Sequence, residues 1–92
     1  MKFIYPAVFR QRTDGTYEGR FPDLSGCMAR GASLEDAVDA ANEAASNWLS
    51  LELEEEEPDI PPVSEPSDLE LEEGEVVRNI CVTIRFYEGW DE

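Results

Sequence analysis

Histidine is absent from this chain, and lysine occurs only once, at Lys2. The missing imidazole removes the commonest general base and the commonest transition-metal ligand. A serine, cysteine or tyrosine nucleophile would then need activation by lysine or by a very unusual environment. The chain also lacks a CxxC pair, a Gly-rich phosphate loop and a Walker-type motif. We therefore predict a protein that is not an enzyme, with no catalytic residue and no cofactor.

Basic residues are few. The chain has 7 Lys and Arg against 22 Asp and Glu, which gives a formal charge of −15, and the basic residues are scattered along the sequence. Nucleic-acid binding needs clustered Lys and Arg that neutralise phosphates, so the sequence predicts no direct nucleic-acid contact. An acidic surface favours encounter with a basic protein. Acidity that serves only solubility is the alternative explanation.

Carboxylates are numerous but badly placed for a metal site. A two-metal nuclease needs carboxylates that converge from several strands, yet residues 2–10 and 76–87 contain no Asp or Glu. The acidic run at 52–57 lacks the alternating oxygen ligands and the glycine of a calcium loop. The sequence therefore predicts no metal site. We interpret the run as a solvated segment, or as an electrostatic lure for a basic partner.

The two cysteines, Cys27 and Cys81, have small or apolar neighbours. This setting predicts buried free thiols rather than a disulfide. No basic-then-apolar leader opens the chain, and no apolar run is long enough to span a bilayer. These patterns predict a cytoplasmic protein, in a compartment where thiols stay reduced.

The 92 residues are enough for one domain. We predict a domain at residues 1–87, with an acidic, proline-rich loop at 54–68 inside it, and a tail at 88–92. A domain this small buries only about 60 % of the surface of its unfolded chain. Its stability margin is thin, so association with itself or with a partner would supplement it.

Hydrophobic periodicity predicts four strands and one helix. Residues 2–10 are aromatic and β-branched, an Asp-Gly turn at 14–15 leads to a second strand at 17–21, and a third follows at 27–30. Ser33 opens an S-x-x-D capping box, and apolar residues recur at helical spacing from there to about Leu53. Residues 75–87 alternate between apolar and polar and form the last predicted strand.

The order β-β-β-α-β predicts an α+β fold with one mostly antiparallel sheet and one long helix on one face. We expect the helix crossover to place the last strand parallel to the first. One helix leaves the other sheet face bare, and Ile4, Pro6 and Val8 alternate onto that face. An exposed apolar patch there would mark an oligomer face. Pro6 has no N–H, which predicts a bulge or a locally unpaired side.

Three ordered pieces of the sequence resemble the N-terminal domain of HicB-like antitoxins. They are the strand motif Y-P-A-V-F at 5–9, the bend F-P-D-L-S-G-C at 21–27 and the helix start G-A-S-L-E-D-A at 31–37. The resemblance reaches to about Phe86 and departs from the family at Ser25, where a proline is usual. It implies a partial ribonuclease-H-like fold that lacks the nuclease carboxylates.

The resemblance also implies a partner, because members of this family bind a small basic HicA-like ribonuclease toxin and cover its catalytic histidine. By analogy we predict partner-binding residues at Tyr17, Phe21, Pro22 and Asp23, although Phe21 to Asp23 also suit a purely structural bend. Many relatives continue into a C-terminal DNA-binding domain, for which a chain ending at Glu92 has no room. The alternatives are an orphan domain that self-associates as a homo-oligomer, a dimer or larger, and a residual nuclease.

Overall fold

The chain forms one four-stranded sheet with one helix packed on it. The computed structural model describes residues 2–57 and 60–84. The strands are β1 (Lys2–Gln11), β2 (Tyr17–Arg20), β3 (Met28–Gly31) and β4 (Val76–Thr83). Their order across the sheet is β3-β2-β1-β4, and every neighbouring pair is antiparallel. The N-terminal strand, β1, is therefore a central strand of the sheet.

β1 is apolar on both of its faces. Tyr5, Ala7 and Phe9 join the core beneath the helix, and Val8 on the opposite face is also buried. This pattern is typical of a strand that is covered on both sides. Pro6 pairs with Asn79 of β4, while the register with β2 begins only at Val8. The locally unpaired side predicted from the missing N–H of Pro6 is therefore confirmed.

The Asp-Gly signal forms the predicted hairpin between β1 and β2. The Asp14 carboxylate accepts the Thr16 N–H at 3.0 Å and the Thr16 hydroxyl at 2.6 Å. These bonds, the hydroxyl bond foremost, stabilise the ionised carboxylate and hold the pKa of Asp14 below its ordinary value. Gly15 has a φ of +91°, a left-handed conformation that glycine adopts without steric cost.

The helix α1 comprises Leu34–Leu53, and its ends agree with the sequence-based prediction. The Ser33 hydroxyl accepts the Asp36 N–H at 3.1 Å, which satisfies one of the unpaired donors of the first turn. The buried stripe faces the sheet at a spacing of four residues and consists of Ala37, Ala41, Ala45 and Leu49. Because three of these side chains are methyl groups, the helix backbone lies close to the sheet.

β3 and α1 approach each other closely at Gly31. A β-carbon added there would lie 2.5 Å from the carbonyl carbon of Asp36 and would also collide with the backbone of Ala37. Only glycine fits at this position without moving the helix. The short segment between Gly31 and Ser33 thereby fixes where the helix begins.

Residues 54–75 connect α1 to β4. Apart from a short 3-10 helix at Pro66–Asp68, the described part of this connector has no helix or strand, as its proline content predicts. Ile60 packs against the core, and the Tyr5 hydroxyl donates to the Pro61 carbonyl at 2.5 Å. The connector is therefore attached to the sheet soon after it leaves the helix.

The predicted parallel orientation of the last strand is wrong. β4 runs antiparallel to β1, with Lys2 opposite Thr83 and Phe9 opposite Val76. The prediction assumed that the helix alone returns the chain to the start of β1. The helix starts beside β3 and carries the chain about 30 Å along its axis. The long connector then travels back along the sheet, so β4 begins beside the end of β1.

The faces of β4 follow the predicted alternation, with Ile80, Val82 and Ile84 buried and Asn79 and Thr83 exposed. The prediction for residues 85–87 and the tail at 88–92 lies outside the described residues. The α+β fold and the order β-β-β-α-β are confirmed. The ribonuclease-H-like description stays an implication of the resemblance.

Candidate partner-binding surfaces

The bend between β2 and β3 holds three of the four predicted partner-binding residues. Phe21 is 4 % exposed and donates its N–H to the Cys27 carbonyl at 3.1 Å. Leu24 is fully buried, while Pro22 is exposed. Gly26 has a φ of +77°, which completes the turn. The bend is therefore a folded element, and of these side chains Pro22 presents the most surface to a partner.

Asp23 holds the connector against the bend. Its two carboxylate oxygens accept the Ser64 N–H at 2.8 Å and the Ser64 hydroxyl at 2.5 Å. Burial raises the pKa of the Tyr5 hydroxyl, and the nearby Asp23 carboxylate raises it further. These contacts commit Asp23 to an intramolecular role, and nothing in the sequence indicated Ser64 as its partner.

Tyr17 lies at the opposite end of β2 from the bend. It pairs with Gln11 and Gly31, is half-buried, and packs against the core. A strand advances about 3.3 Å per residue, so Tyr17 is on the order of 10 Å or more from the bend residues. The structure therefore does not gather the four predicted partner-binding residues into one patch.

The face of the sheet opposite α1 differs from the exposed apolar patch that the sequence predicts. Ile4 is 51 % exposed, but Val8 is only 1 % exposed and Pro6 is also fully buried. Val8 lies directly opposite Arg20, whose guanidinium reaches Glu75 beside β4. This ion pair spans β1 on that face. Pro6 and Val8 therefore do not form an exposed surface.

Three arginines converge on one carboxylate on this same sheet face. Arg10, Glu18 and Arg30 lie side by side on β1, β2 and β3. Glu18 contacts Arg12 at 2.7 Å, Arg30 at 3.7 Å and Arg10 at 4.0 Å. The basic residues that look scattered in the sequence are thus partly clustered. The register of the Asp-Gly hairpin, which places Arg10 opposite Glu18, was the available signal.

Glu75 forms a second cross-sheet ion pair. Its carboxylate contacts the Arg20 guanidinium at 2.7 Å and accepts the Glu72 N–H at 2.8 Å, and its side chain is 3 % exposed. The Arg20 bond, followed by the backbone bond, holds the pKa of Glu75 below its ordinary value of 4.5. This pair fastens the end of the connector to β2 across the central strand.

Acidification should weaken the ion pair between Arg20 and Glu75. A lowered pKa in the folded state gives stability that is fully present above the ordinary pKa of 4.5 and is lost as the pH falls through the folded value. We expect Glu75→Gln to be less stable than the wild type at neutral pH, and the difference to shrink below pH 4.5. Urea unfolding over a pH series measures it. Glu73→Gln, at a neighbouring exposed position, should show no such difference, and a constant gap for Glu75→Gln would contradict the prediction.

The two thiols differ in environment, which corrects the prediction that both are buried. Cys27 is 6 % exposed, and burial raises the pKa of its thiol. Cys81 is exposed. It occupies a position on β4 that alternates with the buried Ile80 and Val82, so its side chain points to the face opposite the helix. Both cysteines are free.

Within residues 2–57 and 60–84, no group of three or more His, Cys, Asp or Glu side chains is arranged to hold a metal ion. In the same part of the chain, no helix is both long and apolar enough to cross a membrane.

Comparison with solved structures identifies similar folds. The N-terminal domain of the Burkholderia pseudomallei antitoxin HicB is 20 % identical with a TM-score of 0.75, over 91 % of this chain and 100 % of that chain. A chain of the HicA3 and HicB3 toxin-antitoxin complex is 27 % identical with a TM-score of 0.65, over 90 % of this chain and 99 % of that chain. A chain of a toxin-antitoxin complex from Streptococcus pneumoniae is 20 % identical with a TM-score of 0.75, over 100 % of this chain and 79 % of that chain.

Comparison of the sequence with models of protein families identifies the family. No curated protein sequence matches the chain. The model of the HicB-like antitoxin of bacterial toxin-antitoxin systems matches residues 5–84. This match includes all three motifs that carry the resemblance, the whole helix and nearly all of the sheet. The chain therefore belongs to the HicB-like antitoxin family.

Proposed function

We propose that this chain is an antitoxin that binds a small, basic ribonuclease toxin of the HicA-like type and masks its active site. The observation that carries the proposal is the family match over residues 5–84. A relative that is 27 % identical and matched over 99 % of its own length comes from a complex of a toxin with an antitoxin, which supports the same role.

The charge of the chain supports a basic partner. The formal charge is −15, and most of the exposed acids lie on the helix and the connector rather than on the strands. The polar side of α1 exposes Asp36, Asp39 and Glu43, and residues 54–57 add four exposed glutamates. A field of one sign accelerates encounter with a partner of the opposite sign. Inhibition on this view is steric masking aided by electrostatic attraction, and the antitoxin itself catalyses nothing.

The predicted contact residues remain part of the proposal with altered roles. Pro22 is exposed and Tyr17 is half-buried, so these two side chains are available for contact. Phe21 and Asp23 act indirectly because they hold the bend and the connector in place. A cytoplasmic location and the absence of direct nucleic-acid contact also stay predictions.

The test is a titration with a purified HicA-like toxin, which is a small basic ribonuclease. We expect a complex at micromolar concentration or tighter and loss of the ribonuclease activity of that protein in the complex. Calorimetry measures the affinity, and cleavage of a labelled RNA measures the activity. A mixture that forms no complex at micromolar concentration, or a complex whose ribonuclease remains active, would overturn the proposal.

A second function, self-association without a toxin, is favoured by one observation. Ile4 is 51 % exposed and Met28 is 57 % exposed on the sheet face opposite α1, where Cys81 is also exposed. A homo-oligomer contact on this face would centre on Ile4 and Cys81, which pair across β1 and β4, because an interface needs a contiguous apolar patch. Light scattering of the wild type and of Ile4→Asp tests it. A mass above the monomer that Ile4→Asp lowers would support this function, and a monomeric wild type would exclude it.

A further inference from the structure

A groove of about 570 Å³ lies between the start of α1 and the start of β4. Leu34 and Val38 form its apolar side, Glu35 and Asp39 stand on the helix beside them, and Arg78 of β4 faces them. Ala37 is the first helix residue that is buried against the sheet, whereas Leu34 and Val38 are only half-buried and line the groove. Farther along, Asn42 donates its side-chain N–H to the Cys81 carbonyl at 2.7 Å, which joins the helix to β4.

The start of β4 continues this surface. Val76 is 37 % exposed and Arg78 is exposed, on the same face of β4 as the buried Ile80. The side of the sheet that carries the helix is therefore open at this corner. A partner side chain that lies in the groove would bury surface of Leu34 and Val38.

The two carboxylates of the groove form no ion pair within the described part of the chain, whereas Arg78 donates to the Val77 carbonyl at 3.2 Å. Glu35 and Asp39 are exposed, and no ion pair joins them to Arg78 or to another residue described there. An acid in the first turn, such as Glu35, is explained by the helix dipole. That explanation does not reach Asp39, which lies in the second turn, because the effect falls off within the first turn.

We propose that this groove receives a basic, amphipathic segment of the toxin, with an apolar side chain over Leu34 and Val38 and a cation between Glu35 and Asp39. The inference rests on the proposed function and names the surface that performs it. It follows from charge complementarity, because an apolar side with two unpaired carboxylates matches an apolar residue next to a Lys or Arg. Arg78 would repel the same cation, so the two sides of the groove have opposite predicted effects.

The test measures by calorimetry how tightly variants of the full chain bind the same HicA-like toxin. Glu35→Lys/Asp39→Lys should raise Kd by about tenfold or more, since it replaces two attractions with two repulsions. Arg78→Glu should lower Kd by about threefold or more, because a repulsion becomes an attraction. The matched control is Glu65→Lys/Asp68→Lys, which makes the same change in net charge at two exposed positions of the connector.

The outcomes separate the groove from the proposed function. If the wild type binds and the control weakens binding as much as Glu35→Lys/Asp39→Lys does, the net charge of the chain explains the loss. That result would overturn the proposal that the groove binds the toxin. If Arg78→Glu weakens binding, the segment in the groove is not basic, and the proposal is likewise overturned. If the wild type itself does not bind, the proposed function fails first. Hydrogen exchange on the wild-type complex gives a readout without variants, and we expect added protection at residues 34–42 and 76–81.

Discussion

A Phe9→Ala variant is expected to lose about 3–5 kcal/mol of unfolding free energy, the usual range for removing a buried aromatic ring. Phe9 is fully buried on the central strand. A β-carbon at Gly19, its partner on β2, would lie 2.7 Å from the Cδ1 atom of the Phe9 ring. The ring therefore covers the backbone of Gly19, and its removal leaves a cavity in the core beside that backbone. Urea unfolding followed by circular dichroism measures the loss.

The specific contact can be separated from general loss of packing by a double-mutant cycle. Gly19→Ala alone should destabilise, because its methyl group meets the Phe9 ring. In a Phe9→Leu background, which keeps an apolar side chain in the core, the same Gly19→Ala change should cost less. The two changes are then non-additive, as expected for residues in contact. Strict additivity would mean that the ring does not occupy the space beside Gly19.

A Gly31→Ala variant is expected to be destabilised by about 3 kcal/mol, the upper end of the usual range for overpacking. The reason is the backbone of α1, since the added β-carbon would lie 2.5 Å from the carbonyl carbon of Asp36. A side chain can change rotamer to relieve such a collision, but the start of a helix has to move as a unit. Thermal unfolding gives the loss of stability.

The control for Gly31→Ala is Met28→Ala on the same strand. Met28 is 57 % exposed, so its truncation should change the free energy of unfolding by about 0.5 kcal/mol or less. Equal losses for the two variants would show that β3 is sensitive throughout rather than at its contact with α1. An unchanged stability for Gly31→Ala would contradict the close approach of the helix.

Local signals in the sequence predicted local structure well. The hairpin needs only Asp14 and Gly15, and the helix start needs only Ser33 and the residues of its first turn. Each of these signals acts over three or four residues, so no distant part of the chain can override it easily. The direction of β4 depends instead on the path of residues 54–75, which no local pattern describes.

The candidate surfaces were less predictable because they join distant parts of the chain. The contact of Asp23 with Ser64 crosses the whole helix in sequence, and neither residue signals the other. Two features of these surfaces could have been predicted from the sequence. The hairpin register places Arg10 opposite Glu18, and the alternation that puts Ile80 inside also puts Cys81 outside. The groove beside α1 could not be found, since it depends on how far the helix lies from β4.

The position of β1 has a consequence for synthesis on the ribosome. Among the strands of this sheet β1 is translated before the others, yet along Lys2 to Phe9 its partner is β4, which is translated after the others. A nascent chain that has completed β3 and α1 still carries β1 with one ladder of backbone groups unsatisfied. Pairing over so long a sequence separation is also slow to form. The domain therefore completes its sheet only after nearly all of it has left the ribosomal exit tunnel.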